Sequence, residues 1–211
     1  MRQIGKIVLM VSVLPVSPVA IAATPMPEAP NTNLSPQVTT LAAGVKVCDA
    51  QQNLTAKVCA GDGIESEERK LYRLLNEYRR QQGLPAIPLS PSLSLVANRH
   101  VRDFDRHTLA GHSWSNCRYD AANRSTYACM WQAPQRLGTA YPGNGYENSY
   151  GSSTGRVTAR EALNSWKGSR SHNRVMLNQG VWKTQWQAVG IGIYQGRAVL
   201  WFGKERDPIS E

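Results

Sequence analysis

The chain is 211 residues long, enough for one ordinary domain with its own core, and 24 lysines and arginines against 15 acids give it a formal charge of +9. The cations are dispersed, and no recognised nucleic-acid motif accompanies them. They read as a solvated basic surface with weak nonspecific affinity for anionic surfaces, and specific nucleic-acid binding ranks last among the functions weighed.

In chain order, Arg2 and Lys6 form a basic start, Ile7 to Val19 an apolar run, and Ala20-Ile21-Ala22 a small-x-small cleavage site. That is the pattern of a secretory signal over residues 1–22. The run is interrupted by Pro15 and Pro18 and is short for a bilayer span, so the mature chain is expected outside the cytoplasm, periplasmic or extracellular, with no transmembrane segment. Cleavage would remove two cations and leave +7. Residues 23–43, rich in Pro, Thr, Asn and Ser, are expected to be a disordered leader.

Residues 44–63 hold Cys48 and Cys59 and read as a small stapled segment. Local disulfides Cys48–Cys59 and Cys117–Cys129 are the expectation in an oxidising compartment. Crossed pairings stay open, since sequence does not set connectivity, and a four-thiolate zinc site lacks C-x-x-C spacing.

The first helix is expected over about 66–82, with Leu71, Leu74, Leu75 and Tyr78 on one face. Gly83 ends it. A second begins at Ser90 as N-cap with Pro91 behind it, and its apolar stripe includes Leu93, Val96, Ala97, His100, Val101 and Phe104. His100, on that stripe, reads as a hydrogen-bonded core residue and not as a ligand. Leu109 to Tyr150 is a long irregular stretch stapled by the second cysteine pair, with a short strand at Tyr146–Tyr150. Thr158 and Glu161 form a capping box for a helix that buries Trp166, loosens at Gly168 and delivers His172. If that turn stays helical, Ser169 and His172 share a face. Ala188–Tyr194 and Ala198–Phe202 form a hairpin about Gln195-Gly196, and the tail from Lys204 reads as frayed. The order of elements suits helices packed on a sheet in one domain over 64–204, with a tail at 205–211.

His112 in GHSW, Glu147 in YENSY and His172 in SRSHN are two imidazoles and a carboxylate, a donor set for a divalent ion, zinc first, with one position open. By spacing alone the signal is weak, because the segments are far apart in the chain.

The ordered series LLNEYRRQQGLPAIPLSPSLSLVANRH, GHSW, GNGYENSYG, ALNSWKGSRSHNRVML and WQAVGIGIYQGRAVLWFG resembles the CAP superfamily, the cysteine-rich secretory, antigen 5 and pathogenesis-related-1 proteins, especially its secreted bacterial branch. The resemblance implies an α+β fold, a single-domain α-β-α sandwich with a central antiparallel sheet. It also implies a cavity tetrad of two histidines and two acids. Of these, His112, Glu147 and His172 match by motif. The second acid is replaced by Ser169, and the Gly of the Gly-Glu-Asn motif by Tyr146. Ser169 is left to support the site by hydrogen-bonding to His172 or to a metal-bound water. With one carboxylate, the division of acid and base roles between two is lost.

The expected function is a secreted, non-enzymatic binding module for a lipid, glycan or protein ligand, with a divalent ion in its cavity. Trp114, Tyr119 and Trp131 are candidates to line a groove, one or two of them serving as core instead. The alternative is a metal-dependent hydrolase of peptide, phosphodiester or cell-wall bonds, with His112, Glu147 and His172 holding the ion. No separate general base is evident for it, and no nucleophile elbow surrounds Ser169.

Overall fold

The computed structural model describes residues 45–107, 109 and 111–209. The expected signal and leader, together with the last two residues of the tail, lie outside them. The described elements are α1 (Gln52–Thr55), α2 (Ser66–Gln81), α3 (Pro91–Arg106), α4 (Ala128–Trp131), α5 (Ala133–Arg136), β1 (Gly145–Gly151), α6 (Ala159–Gly168), α7 (Arg170–Met176), β2 (Ala188–Tyr194) and β3 (Arg197–Gly203).

The strands form an antiparallel sheet in the order β1-β3-β2. In β3 the side chains alternate between two cores, as the pleat requires. Ala198, Leu200 and Phe202 join the core of α2, α6 and α7, where Leu71, Leu75, Trp166 and Met176 are buried. Val199 and Trp201 face the other way and join Leu93, Val96, Ala97 and Val101 of α3. Helices therefore cover both faces of the sheet, the α-β-α sandwich expected.

α3 lies unusually close to β2 because β2 offers glycine where side chains would point at the helix. A Cβ on Gly190 would stand 2.0 Å from the Leu93 carbonyl carbon, and one on Gly192 would stand 2.5 Å from that of Ala97. The Ser90 hydroxyl accepts from the Leu93 amide, and Asp207 accepts from the Ser92 amide at 2.9 Å and the Ser92 hydroxyl at 3.0 Å. The tail is thus not frayed at this point. Asp207 is buried because the α3 N-terminus presents amide donors that need an acceptor.

Both local disulfides are present, Cys48–Cys59 and Cys117–Cys129. The first closes the segment that holds α1, which is tied to α3 by Arg99. Its guanidinium pairs with Asp62 and donates to the Asn53 carbonyl at 2.8 Å, while the Asn53 amide donates back to the Arg99 carbonyl at 2.9 Å. Arg79, wholly buried in α2, donates to the carbonyls of Pro85 and Met176 and ties α2 to the end of α7.

Candidate functional site

The site begins with strand register. Glu147 of β1 lies opposite Trp201 of β3, so its side chain takes the α3 face of the sheet. There His100, on the sheet-facing stripe of α3, places Nδ1 2.8 Å from Glu147 Oε1. The other ring nitrogen of His100 lies 3.0 Å from the Ser113 carbonyl oxygen. His112, on the loop after α3, places Nδ1 2.8 Å from Glu147 Oε2. Both oxygens of the carboxylate are thereby engaged by imidazoles.

The Glu147 side chain has no exposed surface, and burial alone would push its carboxyl up. The charge on His100 and the hydrogen bonds from His100 and His112 outweigh burial and bring it down to about 2. The anion accepts, so His112 donates from Nδ1 and keeps Nε2 for whatever enters the cleft. Burial pulls His112 down, but the hydrogen bond to Glu147 and that residue's charge raise it overall. His100 is stacked on Trp114 at 4.2 Å between centroids and meets the edge of Trp201 at 5.2 Å.

His172 reaches the same place from the opposite side of the sheet. It lies in α7, and its carbonyl accepts from the Asn148 amide at 3.0 Å. Burial lowers the His172 pKa, the charge on His112 lowers it further, and Glu147 partly opposes them. His112, Glu147 and His172 all line one cleft of about 260 Å³ beside β1, along with Ser171. The three expected residues are therefore brought together.

Ser169 is not part of that group. Its backbone is extended, at φ −94° and ψ 115°, where α6 ends and α7 begins. The helical spacing that would have aligned it with His172 is interrupted, and its hydroxyl lies 3.1 Å from that of Ser171 instead. His100 is the functional partner that sequence reasoning assigned only to the core. It is indeed buried and satisfied, but its satisfaction is the anchoring of Glu147. A histidine on a stripe facing the sheet needs a buried acceptor, and that requirement was the available signal.

The donors fit a metal only in part. Each Glu147 oxygen already accepts from an imidazole, and among the described residues no cluster of three His, Cys, Asp or Glu is set to hold an ion. His112 Nε2 and His172 are what remains for one, with Glu147 orienting His112 from behind.

The aromatic expectation divides. Trp114 is core, 2% exposed, while Tyr119 and Trp131 are half-buried and line the cleft. Tyr127, Tyr146 and Trp182 line it as well.

Residues 72–199 match the cysteine-rich secretory protein family, and the chain belongs to that family, CAP. None of the curated proteins matches it. Among solved structures, an extracellular protein containing a SCP domain from Bacillus anthracis is similar, with 19% identity and a TM-score of 0.52. The match covers 66% of this chain and 40% of the Bacillus protein. An outer surface protein from Borrelia burgdorferi is similar too, at 16% identity and a TM-score of 0.51, covering 66% of this chain and 93% of that one. At such identities the likeness is one of fold. No helix among the described residues is long and apolar enough to cross a membrane.

Proposed function

We propose that this is an exported binding protein whose ligand, a lipid, a glycan or a segment of a partner protein, enters the cleft beside β1, and that the cleft does not hydrolyse it. The supporting observation is the state of Glu147. It is the one carboxylate lining the cleft among the described residues, and both its oxygens are committed to His100 and His112. A general base must reach a substrate proton, and this side chain has no exposed surface and already accepts from an imidazole at each oxygen. Its role is to fix His112 so that Nε2 meets the ligand.

A divalent ion, zinc first, is part of this reading, held by His112 Nε2 and His172. It would supply a Lewis-acid contact for an oxygen of the ligand. Calorimetric titration of zinc into the metal-stripped chain should show one site in wild type and none in His112→Ala or His172→Ala. Equal heats in all three would remove the metal from the reading. The reading as a whole is tested by turnover. Peptide, phosphodiester and cell-wall substrates should be left intact with and without zinc, and a chelator-sensitive hydrolysis lost in His172→Ala would overturn it.

A further inference from the structure

Tyr119, Tyr127, Trp131, Tyr146 and Trp182 form a continuous wall along the cleft. Successive ring centroids are 5.1, 5.4, 6.2 and 5.3 Å apart. All five rings are half-buried, so each keeps surface to offer a ligand. Tyr146 joins the wall from the position that the family motif gives to glycine. Lys204 Nζ lies 5.1 Å from the Tyr146 centroid, at the end of β3.

We propose that this wall binds a sugar ring of an acidic polysaccharide, with Lys204 pairing the sugar carboxylate. The inference rests on the binding reading and narrows its ligand. A pyranose has an apolar C–H face that stacks on an aromatic ring and a rim of hydroxyls that needs donors and acceptors. The cleft supplies both kinds of surface, with His112, Ser171 and His172 beside the rings. An acyl chain fits worse, because it would take His112, His172 and Ser171 out of water without pairing them. A quaternary ammonium ion also favours aromatic walls, but a chain of formal charge +9 with Lys204 already at Tyr146 repels it. The same charge attracts a polyanion.

The test is titration of the purified full chain with oligogalacturonate, following tryptophan emission at physiological salt. Neutral cellohexaose and phosphatidylglycerol vesicles serve as comparators. Oligogalacturonate should give a saturable change and bind about tenfold more tightly than cellohexaose. Lys204→Gln, at a half-buried position just past the end of β3, should abolish that preference. Tyr146→Ala should weaken both sugars about tenfold, while Tyr146→Phe, which keeps the ring and the packing, should not. No saturable response, or a response unchanged in Lys204→Gln and Tyr146→Ala, would overturn the proposal. A response to vesicles alone would overturn the sugar and leave the binding reading standing. Shortening of the oligosaccharide, lost in His112→Ala, would overturn both.

Discussion

Glu147 receives His100 from α3 and His112 from the following loop, so one carboxylate joins a strand, a helix and a loop. Its folded pKa of about 2 lies below the ordinary 4.5. The stability it contributes is therefore present above pH 4.5 and is lost as pH falls toward 2. Replacing Glu147 with Gln removes the buried anion that accepts from both imidazoles and should cost roughly 3 kcal/mol at neutral pH. Urea unfolding at pH 7 and pH 3 checks this, and the variant should lose less than wild type on going to pH 3. Glu68 behaves in the opposite sense. Burial pushes it up to about 7, against the backbone N–H groups of Glu65 and Ile193 that donate to its two oxygens. A folded value above 4.5 means stability is gained as pH falls from 7 toward 4.5 and given up as pH rises through 7. Urea midpoints between pH 5 and 8 should slope downward more in wild type than in Glu68→Gln, and parallel slopes would contradict the assignment.

Among the elements, α3 and β2 are the pair whose fit depends most on what is missing. Gly190→Ala sets a methyl group into the α3 backbone, which neither element can move aside without parting from the sheet. It should cost about 3 kcal/mol, at the upper end for overpacking, read as a lowered Tm or urea midpoint. Gly168→Ala is the contrasting change. A Cβ there meets nothing within 4 Å and the residue has ordinary helical geometry, so alanine should stabilise by about 0.5 kcal/mol in the same measurement. The helices themselves were legible from sequence, α2 within a residue of its expected ends and α3 at its expected start, because stripe and cap signals agreed. A loosening at Gly168 was legible too, but the extended backbone of Ser169 was not. Local sequence permitted a helix through it, and the choice of an extended Ser169 belongs to the packing of Trp166 on one side and Met176 on the other, both in the same core.

At the scale of the whole molecule, two disulfides close local loops, and one of them carries part of the cleft. Cys117–Cys129 closes the loop that carries Tyr119 and Tyr127 and begins the helix of Trp131. Cys117→Ser with Cys129→Ser should cost about 3 kcal/mol, and it should also shift tryptophan emission by loosening that wall. A melt that moves without any change in native emission would show that the disulfide acts on stability alone. Mass analysis of the unreduced protein should find no free thiol.

Composition, helix stripes, strand alternation and cysteine spacing determined the elements and their order, because each is a local consequence of side chains on a repeating backbone. The ordered motifs carried the family and, through it, the sandwich and three residues of its site. Only the tertiary structure decided that His100 is the partner of Glu147, that Ser169 turns away, that Asp207 closes α3, and that Tyr146 and Trp182 extend the aromatic wall. These depend on register across β3 and on which face of the sheet each helix covers, quantities set by the joint packing of segments far apart in the chain.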